Sequence, residues 1–225
     1  MELAPNDGHD LGKSDLEDSL KTLRKQFGGR TPKKVLDLGC GNGRFAEAFL
    51  NAFPNTKMDV LDKNVHYVDH VRSKPELGGK IRNYFTVSAL LVHTITKEKY
   101  DLIFVQGVAQ YLTDKKFSTL LTSVRKVLKP DGLLVFKELY NDHFTEYLAK
   151  EKNWVRSYGC FVDLFKQSKY DSDMVSEYCY KIDYYTYMTF TLKKSDAPMD
   201  SNSLQKELHN EDRAHNEQCF GQIKG

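Results

Sequence analysis

The sequence predicts a doubly wound α/β domain: a mostly parallel sheet of seven strands with helices packed on both faces. Two observations point to it. Short apolar runs alternate with stretches whose apolar residues recur at helical spacing. A glycine-rich turn, Gly39-Cys40-Gly41-Asn42-Gly43, leaves the first of those runs and opens the next helix, at the strand end where such sheets bind ligands.

The elements follow in order. Ser14-Asp15-Leu16-Glu17 has the form of a capping box, and Leu16, Leu20, Leu23 and Phe27 then share a helix face that ends at Gly28-Gly29. Lys34 to Leu38 reads as the first strand. Phe45, Phe49 and Phe53 line one face of a helix from Arg44 to Phe53. Met58–Leu61, Ile81–Val87 and Asp101–Val105 read as the next three strands, with a helix over Asn64–Lys74 after the first of them. Phe117, Leu120, Leu121, Val124, Val127 and Leu128 form an apolar stripe on a helix that starts at Thr113. A turn at Pro130-Asp131-Gly132 leads into a fifth strand, Leu133–Phe136. Residues 139–173 are less regular, with one or two helices expected around Trp154 to Phe165. Met174–Tyr180 and Tyr184–Leu192 read as two closing strands.

The length of 225 residues fits one domain. We expect a flexible start over 1–13, the domain over 14–193 and a polar, disordered tail over 194–225. A net charge of +2 argues against a dedicated nucleic-acid binder. No run is long and apolar enough to span a membrane, and Met1–Asp10 has no signal-peptide pattern. Cys40, Cys160, Cys179 and Cys219 have no paired spacing. They read as reduced thiols of a cytoplasmic protein, or one that also enters the nucleus.

The glycine turn has the spacing G-x-G-x-G rather than the G-x-G-x-x-G of dinucleotide folds. That favours S-adenosylmethionine, which has no pyrophosphate to cradle. Asp62 directly follows the second strand, where a carboxylate accepts ribose hydroxyls; Lys63 is its neighbour. Ser88-Ala89-Leu90, after the third strand, is expected beside the adenine. Gln106-Gly107, after the fourth, is expected to face the methionine moiety or the acceptor.

Leu38-Gly39-Cys40-Gly41-Asn42-Gly43 and Leu128-Lys129-Pro130-Asp131-Gly132-Leu133-Leu134 resemble the first and late motifs of class I, Rossmann-like S-adenosylmethionine-dependent methyltransferases. Ile81-Arg82-Asn83-Tyr84-Phe85, Gln106-Gly107-Val108 with Leu112-Thr113-Asp114, and Leu134-Val135-Phe136-Lys137-Glu138 are similar to one branch, the protein N-terminal (X-Pro-Lys) α-amine methyltransferases. Gly8-His9 adds to that likeness. The resemblance covers roughly residues 8–193, about one domain. It implies cofactor roles for Gly39, Gly41, Arg44, Asp62 and Gln106, and Asn42, Lys63, Ser88, Ala89 and Leu90 complete the expected contacts. The chain has Gly107, Tyr111 and Leu139 where that branch has tryptophan, histidine and asparagine.

For an amine acceptor, Asn141, Asp142 and Tyr111 are the candidate catalytic groups, expected to orient the amine or take its proton. Glu138 is a further candidate, and Glu138, Asp142 and Asp163 are the acids available to a substrate lysine. The expected acceptor is a protein N-terminus. The alternatives are a small molecule or a non-catalytic scaffold, and intact Gly39, Gly41, Gly43 and Asp62 argue against the scaffold. His66 and His70 share a helix face, but no third ligand accompanies them, so no metal is expected. Cys40 is read as packing beside the cofactor rather than as a nucleophile.

Overall fold

The computed structural model describes residues 7–141, 143–179 and 186–195. The elements are α1 (Asp7–Phe27), β1 (Lys34–Leu38), α2 (Arg44–Ala52), β2 (Lys57–Asp62), α3 (Val65–Ser73), β3 (Ile81–Thr86), α4 (Val92–Ile95), β4 (Tyr100–Gln106) and α5 (Asp114–Val127). There follow β5 (Leu128–Asn141), β6 (Glu146–Leu148), β7 (Asn153–Ser157), α6 (Tyr158–Gln167), β8 (Tyr170–Cys179) and β9 (Thr186–Lys194).

Strands β3, β2, β1, β4 and β5 lie side by side and parallel. β9 runs antiparallel along the far edge of β5, and β8 pairs outside β9. The order reverses at β1, whose neighbours are β2 and β4. The crevice beyond the carboxyl ends of those strands is therefore the natural ligand site. Residue alternation assigns the faces. Val35, Met58, Val60, Leu102 and Phe104 pack with Leu23 of α1 and Phe45 and Phe49 of α2. Leu36, Leu38, Leu61, Ile103 and Phe136 pack with Phe117 of α5 and Phe161 and Phe165 of α6.

Three expectations differ from the structure. The first helix begins at Asp7, so Ser14 lies inside it; a capping sequence is a local signal that a helix can run through. Pro130-Asp131-Gly132 does not end a segment but bulges within β5. Tyr100 pairs with Leu128 and Leu102 with Leu133, so Asp101 alone faces residues 129–132. Glycine is required there, because a Cβ on Gly132 would lie 2.8 Å from the Tyr100 carbonyl oxygen. Trp154, expected in a helix, lies in β7, where its ring packs on Tyr147 of β6 with centroids 4.9 Å apart. The helix starts only after Ser157, whose hydroxyl caps Cys160 N–H at 3.2 Å.

The β6–β7 hairpin adds two strands to the seven expected. β7 pairs with β5 at Tyr140 and Asn141. The other edge of Tyr140 is taken by Thr186 of β9. β7 therefore occupies the edge that β4 vacates after Gln106, above the carboxyl end of the sheet.

Charges meet at the amino end. Asp59 is fully buried and accepts from Arg82 Nε at 3.1 Å and Nη2 at 2.6 Å, Asn83 Nδ2 at 3.1 Å and Tyr100 Oη at 2.7 Å. Taking a carboxylate out of water costs several kcal/mol, and only a full set of donors offsets that. Glu98 links Arg82, at 3.6 Å, to Lys34. Asp101 accepts Lys33 N–H at 3.0 Å, Lys34 N–H at 2.8 Å and Lys129 Nζ at 2.6 Å. The segment Ile81–Phe85 thus contributes Arg82 and Asn83 to a stabilising network away from the crevice.

Candidate active site

The backbone dictates the shape of the crevice. Gly39, Gly41 and Gly43 have φ of 85°, 50° and 80°, in the left-handed region that side chains disfavour. A Cβ on Gly39 would come within 2.3 Å of Val108 Cγ2 and one on Gly43 within 2.8 Å of Val71 Cγ2, whereas one on Gly41 would meet nothing within 4 Å. Gly39 and Gly43 are thus packing requirements, and Gly41 borders open space. Asp62 locks the turn: Oδ2 accepts Gly41 N–H at 3.1 Å and Oδ1 accepts Asn64 N–H at 2.8 Å. Each oxygen keeps a second lone pair.

A cleft of about 480 Å³ opens over these strand ends. Gly39, Gly41 and Asn42 line it from the glycine turn, and Asp62 and Lys63 from the end of β2. Ser88, Ala89 and Leu90 enter after β3, and Gln106, Gly107, Val108, Tyr111 and Leu112 after β4. A recess of about 210 Å³ adjoins it through the shared Gly39, Asn42 and Gln106, and is lined by Arg44, Asp37 and Leu16 of α1. Every expected cofactor residue therefore borders one continuous space, with Arg44 alone confined to the recess.

Sequence reading missed Asp37. It is buried in β1 with Oδ2 unpartnered among the described residues, and burial, then the charge of Asp62, pushes its carboxyl up to about 7. The signal was present: one aspartate in an otherwise apolar buried strand needs a partner. Burial and the carboxylates Asp37 and Asp62 hold the Cys40 thiol far above the usual range, so it stays protonated and packs.

The catalytic candidates part company. Tyr111 lines the cleft and is 56% exposed. Asn141 is buried and does not border the cleft; its Oδ1 accepts His143 N–H at 2.9 Å and Phe144 N–H at 3.4 Å. That turn, built where β5 runs on past its expected end, uses the oxygen that was to meet the acceptor. Asp142 lies outside the described residues. Glu138 is buried beneath the β4–α5 loop, and Asp163 faces solvent on α6, so these two acids do not converge. His66 and His70 are exposed on α3.

The donor set fits the group that the fold implies. The unpartnered Asp37 oxygen and the Arg44 cation suit the ammonium and carboxylate of an amino-acid moiety, and Asp62 suits ribose hydroxyls. Leu61, Ala89 and Leu90 offer an apolar slot for a base. Fold and site together define the class I S-adenosylmethionine-dependent methyltransferases.

The profile of the AdoMet-dependent proline di-methyltransferase family matches residues 9–180, and the chain belongs to that family. A solved SAM-dependent methyltransferase from Leishmania major superposes with a TM-score of 0.68 at 26% identity, covering 82% of this chain and 72% of that one. The N-terminal Xaa-Pro-Lys N-methyltransferase 2 of Danio rerio is 31% identical over 57% of this chain and 47% of its own length. The malonyl-[acyl-carrier protein] O-methyltransferase 2 of Ilyobacter polytropus is 36% identical over 50% of this chain and 41% of its own length. The chain thus matches less than half the length of these two relatives.

Proposed function

We propose that this chain transfers a methyl group from S-adenosylmethionine to the α-amine of a protein N-terminus. The observation that carries the reading is the family match over residues 9–180, which contains every residue bordering the cleft and its recess. Asp37 and Arg44 would hold the amino-acid end, Asp62 the ribose, and Leu61, Ala89 and Leu90 the adenine. When bound, the cofactor supplies a methyl carbon on a positively charged sulfur. The chain's own part is then positional. The loop after β4 presents Gly107, Val108 and Tyr111 to the acceptor, whose nitrogen must approach within about 3–3.5 Å in line with the departing sulfur. A terminal amine has a pKa of about 7.7–8.0, so a usable neutral fraction exists near pH 7 without a strong base. The Tyr111 hydroxyl, on the exposed rim of the cleft, would orient it.

One observation favours a second reading, a small-molecule acceptor: Glu138 and Asp163 do not meet in the cleft to receive a lysine. Labelled methyl transfer to X-Pro-Lys peptides and to a panel of small amines separates the two. Peptide labelling supports the first reading. Labelling of a free amine with none of the peptides replaces it by the second.

A further inference from the structure

The loop between β4 and α5, residues 107–113, forms the wall of the cleft opposite Asp62 and Lys63. Two charged residues outside this loop grip it. Glu138 of β5 accepts Val108 N–H and Ala109 N–H on Oε1, both at 2.8 Å. Arg156 of β7 donates from Nη1 to the Ala109 carbonyl at 2.9 Å and from Nη2 to the Leu112 carbonyl. Its Nε donates at 2.8 Å to Asp114 Oδ1, on the first residue of α5. The guanidinium lies 5.3 Å from the centroid of the Phe117 ring. The carboxylate thus takes the loop's amides and the guanidinium its carbonyls.

Both groups are held at a cost. Arg156 is 0% exposed and Glu138 is 1% exposed, and burying such ions costs several kcal/mol each. Burial pushes the Glu138 carboxyl up to about 7 even though the loop amides and Arg156 oppose the shift. Neither side chain lines the cleft or its recess. The hairpin that delivers Arg156 pairs with β5 at Tyr140 and Asn141, and this arginine ties it to the loop as well.

We propose that Glu138 and Arg156 are positioning residues that clamp the 107–113 loop as the acceptor-side wall and thereby set acceptor recognition more than cofactor affinity. This rests on the methyltransferase reading. On the side assigned to the cofactor, Gly41 and Asp62 are hydrogen-bonded to each other and not to Glu138 or Arg156. Val108, Tyr111 and Leu112 project from the clamped loop into the cleft.

The test joins amide hydrogen exchange with kinetics. The variants are Glu138→Gln, Glu138→Ala and Arg156→Lys; the acceptor is an Ala-Pro-Lys peptide, or the amine labelled in the screen above. Glutamine retains an Oε1 acceptor, so exchange at Val108 and Ala109 and the acceptor KM should stay within about threefold of wild type. Alanine removes a charged acceptor, so exchange at both amides and the acceptor KM should rise about tenfold or more, with S-adenosylhomocysteine Kd within about threefold. Arg156→Lys, which keeps the charge but not the fork, should speed exchange over 109–114 and serves if Glu138→Ala does not fold. Unchanged exchange in Glu138→Ala and Arg156→Lys overturns the clamp. So does a loss of S-adenosylhomocysteine affinity equal to the loss of acceptor affinity. Failure of the wild type to methylate any acceptor overturns the methyltransferase reading instead, and the exchange result still decides the clamp.

Discussion

The two ends of the sheet treat buried carboxylates differently. At the amino end, Asp59 receives four hydrogen bonds from Arg82, Asn83 and Tyr100. At the carboxyl end, Asp37 and Glu138 each keep an oxygen with no hydrogen-bond partner among the described residues. A fully supplied carboxylate stabilises the fold around it and has no capacity left for a ligand. An undersupplied one is a standing cost that a bound cation or a re-aimed donor can relieve. The contrast separates the residues that hold this domain together from those that serve its cleft.

The contrast can be broken most forcefully at Arg82. Arg82→Met leaves Asp59 buried with its charge partner gone and should cost about 3–5 kcal/mol, read as a drop in urea midpoint at constant slope. A loss under about 1 kcal/mol would mean that Asn83 and Tyr100 suffice. A smaller effect sharpens the other end. The folded pKa of Asp37 is raised from 3.8 to about 7, so the folded state binds more protons than the unfolded one between those values. Its contribution to stability is therefore present below about pH 4 and lost as pH rises through about 7. Asp37→Asn removes this dependence, so its stability relative to wild type should climb between pH 4 and 7 and then level off. A flat difference across that range would mean that Asp37 is better solvated than its burial implies. The smallest effect belongs to Asp163. Asp163→Asn should leave peptide KM within about twofold, as for any solvent-facing substitution, and a tenfold rise would bring α6 into acceptor recognition.

Much of the fold was legible because strand–helix alternation is written in local periodicity. Lys34–Leu38 and the Thr113 cap are examples, and the glycine turn marked the cofactor side. What was hidden was non-local. Nothing near Trp154 in sequence announces that β7 will pair with the far end of β5, so Arg156 passed unnoticed although it is fully buried. Asn141 looked available because β5 was expected to stop at Phe136; the longer strand carries it into a turn. Ile81–Phe85 drew notice for its resemblance to a functional branch. Its polar residues instead satisfy Asp59, a partner 23 positions back from Arg82 that no local pattern reveals.

The division of labour between the two ends is tested most directly by calorimetric titration of S-adenosylhomocysteine into wild type, Asp62→Ala and Arg82→Met, at a temperature where all three are folded. Asp62→Ala should bind at least tenfold more weakly, the loss of about 1.5–3 kcal/mol expected when charge-assisted hydrogen bonds are removed. Arg82→Met should bind like wild type. Equal affinity in all three proteins, or equal weakening of both variants, would contradict the account.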